Sequence, residues 1–113
     1  MDDRVEELYS YIQSRCLWQF FPREWDRRAN IEGILEKAIE LLTEGECQVS
    51  ETLLDRYFYV EAKALVIDVK SRFPWLNELN KAEKRAIMEE VKKKLMEVMV
   101  VKSLNPELRL SGY

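Results

Sequence analysis

The sequence predicts an all-α protein, a small four-helix bundle-like domain with a short extended segment near its C-terminus. Its 113 residues include only three glycines and three prolines, and most of these separate one apolar stretch from the next. Within each stretch the apolar residues recur at three- and four-residue intervals, which is the spacing of one helix face. Residues 1–113 are therefore expected to form a single domain with one core, in which short connections pack the helices together.

The first helix is predicted from Asp3 to about Trp18. Its apolar residues lie at helical spacing with charged residues opposite them, and they are Val5, Leu8, Tyr9, Ile12 and Cys16. Pro22 closes the following stretch, because the residue before a proline is driven away from helical conformations. Residues 18–21 should therefore form a connector that is unusually aromatic.

The second helix is predicted to begin between Trp25 and Asn30 and to run to Thr43. Its apolar stripe consists of Ile31, Ile34, Leu35, Ala38, Ile39 and Leu42. Gly45 is the expected C-terminal stop. Gly33 lies inside the helix at a cost of about 1 kcal/mol relative to alanine, which predicts a close approach of a neighbouring backbone at that point.

The third helix is predicted from Glu51 to Phe73, and Pro74 ends it. This helix is apolar on more than one side, because a broad face is supplemented by Tyr59, Val60, Ala62, Val66 and Ile67. Such a helix is either central in its domain or covered by a partner.

The fourth helix is predicted to follow a capping box formed by Asn80 and Glu83, and to run to about Glu97. The segment 98–102 is rich in β-branched residues, which favours the short extended piece. The run Lys92-Lys93-Lys94 is interpreted as a solvated face, with docking of an acidic partner as the alternative.

Charge and composition exclude several classes of function. The net charge is -3, with 18 basic and 21 acidic residues interspersed, so no basic face for nucleic acid is expected. No apolar run approaches the roughly 18–20 residues that cross a membrane. The acidic N-terminus does not resemble a secretory signal, and a cytoplasmic protein with reduced thiols is expected.

The chain contains no histidine, which limits its chemistry. Ser/His/Asp and Cys/His catalytic arrangements are impossible without histidine, and common zinc sites lose their usual ligand. Two isolated cysteines cannot hold a four-thiolate iron–sulfur cluster. We therefore predict no catalytic, cofactor-binding or metal-binding residues, and interpret Cys16 as a small buried hydrophobe and Cys47 as an exposed, incidental thiol.

Two further groups of residues allow alternative interpretations. Four aromatic rings fall within eight residues, and they either belong to the core or anchor an interface; they are Trp18, Phe20, Phe21 and Trp25. Glu61 and Asp68 lie seven residues apart on one helix face. They are interpreted as ion-pair partners of Arg27, Arg28 or another arginine of the bundle, rather than as catalytic carboxylates.

The aromatic connector and the segments after it resemble a known family. The matching segments, in order, are Cys16-Leu17-Trp18-Gln19-Phe20-Phe21, Arg23 with Trp25-Asp26-Arg27, Asn30-Ile31-Glu32-Gly33, Arg72-Phe73-Pro74-Trp75, Asn80-Lys81 with Glu83, and Ser103, Asn105, Glu107-Leu108 and Tyr113. They resemble the delta subunits of the vanadium and iron-only nitrogenases across essentially the whole chain. The Phe20-Phe21 doublet and residues 30–33 resemble the vanadium branch more closely, while Pro22 stands where the family has a small polar residue.

The resemblance implies an accessory subunit of a nitrogen-fixing enzyme in an α2β2δ2 assembly. The large subunits, rather than this chain, would hold the vanadium–iron cofactor and the P-cluster. The delta chain would bind the α subunit, support cofactor insertion and help productive interaction with the iron protein reductase. Its partner interface is expected to include Trp18, Phe20, Phe21, Trp25, Trp75 and Tyr113.

Three alternatives remain open at this point. The chain is a delta subunit of the iron-only nitrogenase, a free chaperone that carries the cofactor transiently, or an unrelated helical interaction module. Stable retention in a purified enzyme distinguishes a subunit from a chaperone.

Overall fold

A computed structural model describes residues 3–15 and 24–104, and within these it describes the side chains of residues 3–15 and 28–98. In this part of the chain there are four α-helices and no β-strand. The helices are α1 (Asp3–Ser14), α2 (Glu24–Glu44), α3 (Leu53–Arg72) and α4 (Lys81–Leu104), with a 3-10 helix at Pro74–Glu78. The prediction of an all-α domain is confirmed.

Helix α2 is the centre of the packing, because α3 and α4 both lie against it and α1 packs on α4. Every residue of the predicted α2 stripe is buried, from Ile31 to Leu42. The facing helices contribute apolar side chains at the same helical spacing, and the buried ones include Leu8, Ile12, Leu65, Val69, Met88, Val91 and Leu95. Leu76 of the 3-10 helix is buried in the same core.

The ends of α2 and α4 follow the chemistry that the sequence indicates. Gly45 has a φ of 80°, a left-handed conformation that favours glycine, and its N–H donates to the carbonyl of Leu41 at 3.0 Å. At the start of α4, the N–H of Glu83 donates to Asn80 Oδ1 at 2.8 Å, while Glu83 Oε1 accepts from the N–H of Asn80 at 3.0 Å. These two reciprocal bonds confirm the predicted capping box.

Two predicted boundaries are wrong. Helix α1 ends at Ser14 rather than near Trp18, and α4 continues through residues 98–102 to Leu104, where an extended piece was expected. A β-branched residue costs only a few tenths of a kcal/mol in a helix interior. Extending an existing helix adds one hydrogen bond for each residue, so this small penalty does not end α4.

Gly33 allows an aromatic side chain, rather than a backbone, to approach α2. A Cβ at this position would lie 2.5 Å from Cε2 and 2.7 Å from Cδ2 of Phe58 on α3. The glycine therefore provides the space in which the Phe58 ring packs on α2. The predicted close approach at Gly33 is present, but an aromatic side chain makes it rather than a backbone.

The connector between α2 and α3 is held by a small polar network around Asp55. Lys37 of α2 donates from Nζ to the carbonyl of Gln48 at 2.7 Å and lies 3.1 Å from a carboxylate oxygen of Asp55. The same carboxylate accepts the N–H of Ser50 at 2.6 Å, and Thr52 caps α3 by accepting the N–H of Asp55 at 3.1 Å. The bond from Ser50, followed by Lys37, lowers the pKa of Asp55.

Substitution of Gly33 by alanine should destabilise the protein. The new methyl group overlaps the Phe58 ring, and overpacking of this kind costs about 1–3 kcal/mol, more than the gain of about 1 kcal/mol in helix propensity. Urea unfolding of Gly33→Ala, Phe58→Leu and the double variant forms a cycle that tests the contact. A double variant that recovers part of the loss supports it, whereas additive effects would show that the ring is not the obstacle.

The lowered pKa of Asp55 predicts an acid-dependent part of the stability. A carboxylate with a depressed pKa stabilises the folded state above its unfolded pKa of about 3.9, and this contribution disappears as the pH falls through the folded value. Asp55→Asn should therefore be less stable than wild type near neutral pH, with a difference that shrinks in acid. Urea midpoints measured over a pH series test this, with Glu51→Gln as a charge-matched control in the same connector; a constant difference would contradict it.

Candidate partner interface

The structure describes one of the six predicted interface side chains. Trp18, Phe20, Phe21 and Tyr113 lie outside the described residues, and Trp25 falls in the first turn of α2, where the description covers the backbone alone. Their role in an interface stays a prediction. Trp75, in the 3-10 helix after α3, is half-buried.

Trp75 belongs to an aromatic cluster where α1 meets the end of α3. Its ring centroid lies 5.8 Å from that of Phe73, which in turn meets Tyr11 of α1 edge to face at 5.8 Å. Two guanidinium groups cover these rings, since Arg4 lies 5.8 Å from the centroid of Trp75 and Arg72 lies 4.6 Å from that of Tyr11. Part of the Trp75 ring surface is thus covered by contacts within the domain.

Asp68 joins α1 to α3 beside this cluster. Its carboxylate accepts hydrogen bonds from the hydroxyl of Tyr11 and from the guanidinium group of Arg15. The prediction that Asp68 pairs with an arginine of the bundle is confirmed, and the partner is Arg15, 53 residues away in the chain. Glu61 instead lies near Tyr57, whose pKa is raised by burial first and by the Glu61 charge second.

The outer side of α3 exposes an apolar stripe that we define by Leu53, Val60 and Ile67. Their exposed fractions are 84%, 60% and 63%, although the opposite side of the same helix is buried in the core through residues such as Leu65 and Val69. The three residues are seven positions apart, so they lie almost one above another along the helix. A row of exposed aliphatic side chains along one helix is the kind of surface that a partner can cover.

The sequence indicated that α3 is apolar on two sides but did not separate the inner residues from the outer ones. The inner series is Phe58, Ala62, Leu65 and Val69, and the outer series is Leu53, Val60 and Ile67. Both series have helical spacing, so periodicity alone could not assign either to the core. Only the position of α2 decides this.

The lysine run on α4 is not a fully solvated face. Lys92 lies 3.3 Å from a carboxylate oxygen of Glu36 on α2, and Lys94 pairs with Glu6 on α1. Lys93 between them is exposed. The solvated-face interpretation is therefore wrong for two of the three lysines, which tie α4 to its neighbouring helices.

Cys47 is half-buried rather than exposed, and burial raises the pKa of its thiol. Cys16 lies outside the described residues. Among the described side chains, no group of three or more His, Cys, Asp or Glu residues is arranged to hold a metal ion. None of the described helices is both long and apolar enough to cross a membrane.

An all-α domain with an outward apolar helix face is typical of a small interaction subunit, and sequence comparison identifies which kind. Residues 2–113 match the vanadium/alternative nitrogenase delta subunit family. The chain belongs to this family and is thus a subunit of a nitrogenase complex, which confirms the resemblance seen in the sequence.

Individual relatives cover nearly the whole chain. The chain is 39% identical over 113 residues to the nitrogenase iron-iron protein delta chain of Rhodospirillum rubrum, covering 100% of this chain and 97% of the relative. It is 38% identical over 113 residues to the protein of the same name from Azomonas macrocytogenes, with both chains fully covered. The Clostridium pasteurianum relative of that name is 38% identical over 105 residues, covering 93% and 90%.

Replacing Asp68 by asparagine should destabilise the junction of α1 and α3. The half-buried guanidinium group of Arg15 then loses its charged partner, and a loss of this kind costs about 1–3 kcal/mol. Glu44→Gln is the matched control, because its pair with Lys81 at 3.0 Å is well exposed and should contribute less than about 1 kcal/mol. Equal free energies of unfolding for the two variants would show that Asp68 does not hold the junction.

Proposed function

We propose that the chain is the non-catalytic delta subunit of the vanadium–iron protein of a vanadium nitrogenase, the enzyme that reduces N2 to ammonia. It binds the large α subunit in an α2β2δ2 assembly, supports cofactor insertion and assists productive contact with the iron protein reductase. Membership of the delta subunit family supports a role within a nitrogenase complex. The single observation that carries the docking role is the exposed apolar stripe of α3.

The proposed division of labour assigns the metal chemistry to the partner subunits. This chain would bind no cofactor of its own, while the α and β subunits hold the vanadium–iron cofactor and the P-cluster. The sequence supports this assignment, because its 113 residues contain no histidine and two cysteines, too few to ligate a cluster of either kind alone.

Two observations point to different metal branches. The Phe20-Phe21 doublet and residues 30–33 resemble the vanadium branch, and this resemblance favours the vanadium enzyme. The relatives named above are delta chains of iron–iron proteins, and they support the alternative of an iron-only enzyme. A transient cofactor-insertion chaperone is a further alternative, which differs in leaving the complex after assembly.

The apolar stripe is suited to anchor an interface. Each Leu, Val or Ile side chain that moves from water into a packed contact contributes about 1.5–3 kcal/mol when burial is complete. A stable interface covers roughly 800 Å² on each partner, which is more than three aliphatic side chains supply. The docking surface must therefore include neighbouring residues of α3, and the aromatic residues predicted from the sequence remain candidates for its edge.

Charged substitutions in the stripe should release the chain from the nitrogenase complex. Val60→Asp/Ile67→Asp places two carboxylates in the proposed contact, and we expect at least a tenfold loss of co-purifying large subunits, since each buried unpaired charge costs several kcal/mol. Affinity purification from nitrogen-fixing cells starved of molybdenum measures this. Ala82→Asp/Ala86→Asp is the control, because both alanines are exposed on α4.

The same purification separates the alternatives. Iron and vanadium in the wild-type complex support the vanadium enzyme, and iron without vanadium assigns the chain to the iron-only branch. Wild-type chain that elutes alone during size-exclusion chromatography would contradict a stable subunit and favour the chaperone. Retention of Val60→Asp/Ile67→Asp in the complex would contradict docking through the stripe.

A further inference from the structure

The exposed side of α3 has a seven-residue repeat that goes beyond its three aliphatic residues. Between the members of the stripe lie Tyr57 and Ala64, so positions along this side of the helix alternate in steps of four and three. Ala64 is exposed, while Tyr57 is half-buried and packs partly against the core. Steps of four and three are the pattern by which one helix packs lengthwise on another. From Leu53 to Ile67 the seam is about 21 Å long at 1.5 Å per residue.

A basic ladder runs along one edge of this seam, which we define by Arg56, Lys63 and Lys70. All three side chains are exposed, and each is again seven residues from the next. Within the described residues none of them forms an ion pair, while Lys63 lies 5.7 Å from the ring centroid of Tyr59 on its own helix. In helix pairs, charges that flank the apolar seam select the partner and its orientation.

The opposite edge of the seam is acidic, and one of its side chains is bound by another helix of the domain. It carries Glu61 and Asp68, both half-buried, and Asp68 is engaged by Arg15 and Tyr11 of α1. Helix α1 thus reaches this edge of α3 through Asp68. Among the described residues, no other helix packs over the exposed members of the seam or over the basic ladder, so this side of α3 is available to a partner.

We propose that this seam binds an amphipathic helix of a large nitrogenase subunit whose carboxylates, spaced seven residues apart, face the basic ladder. The proposal rests on the proposed function, because it names the chemistry of the partner surface that docks on α3. Apolar residues of the partner helix would cover the stripe, and its Asp or Glu side chains would pair with Arg56, Lys63 and Lys70. Complementary charge of this kind raises the association rate and fixes the register of the two helices.

Two other occupants fit the charge pattern less well. Two copies of this chain that paired antiparallel through α3 would bring one basic ladder against the other. In a parallel pair, Arg56 would meet Glu61, but the counterpart of Lys63 would be Asp68, which already binds Arg15 and Tyr11. Residues 105–113 contain one acidic side chain, Glu107, and one basic side chain, Arg109, so they offer a single carboxylate side chain to three cations.

The charge of the ladder is tested by reversing it. The assay measures the affinity of the tagged chain for purified catalytic component that lacks the delta subunit. The variant Lys63→Glu/Lys70→Glu should bind at least tenfold more weakly than wild type. Added salt should reduce this difference in affinity, because it screens the charges. Lys81→Glu/Lys93→Glu is the matched control, because it makes the same change in net charge at two exposed lysines of α4 and should stay within about twofold of wild type. Circular dichroism checks that both variants are folded.

The occupant of the seam is identified by photo-cross-linking from position 67 in the assembled complex. A cross-link to a helix of a large subunit with acidic residues at seven-residue intervals supports the proposal, as does recovery of Lys63→Glu/Lys70→Glu binding when those acids are changed to lysine. A cross-link to a second copy of this chain, or to its own residues 105–113, would overturn it.

Different results would contradict the acidic partner helix and the delta subunit function. If Lys63→Glu/Lys70→Glu binds as tightly as wild type while Val60→Asp/Ile67→Asp loses binding, the proposed acidic partner helix is wrong. The proposed function as a delta subunit would still stand. Failure of the wild-type chain to bind any nitrogenase subunit overturns the proposed function itself.

Discussion

The packing of α2 between α3 and α4 is the contact on which the rest of the described domain depends. Its apolar stripe is buried along its whole length, and Gly33 within it admits the Phe58 ring of α3. Because interiors are close-packed, the side chains of two neighbouring helices have to fit this one surface together. At its C-terminal end, Gly45 stops the helix, and the Asp55 network returns the chain into α3.

The position of α3 on one side of α2 has a consequence for function. A helix at the side of a bundle buries only one face, yet α3 is apolar on both of its faces. The inner face completes the core, and the outer stripe stays exposed to water at an energetic cost unless another surface covers it. Membership of the nitrogenase delta subunit family implies association with other subunits, one of which we propose as the cover, and the basic ladder beside the stripe restricts the chemistry of any covering surface.

Much of the fold could be predicted from local chemistry. The α2 stripe, the Gly45 stop and the Asn80–Glu83 capping box depend on residues within a few positions of one another, so the sequence shows them directly. The end of α4 was missed because the β-branched residues from Val98 onward carry a weak preference, which helix propagation overrides. The pairing of Lys92 and Lys94 with other helices was missed because it depends on how those helices pack.

By itself, the sequence determined the all-α class, the order of the helices and the resemblance to nitrogenase delta subunits, because composition, periodicity and unusual motifs are properties of the chain. Only the tertiary structure decided that Leu65 faces the core while Ile67 faces water, and that Arg15 is the partner of Asp68. The physical reason is that two apolar series with the same spacing are equivalent until another helix packs against one of them. Likewise, a carboxylate has no partner until folding brings a distant cation within a few ångströms.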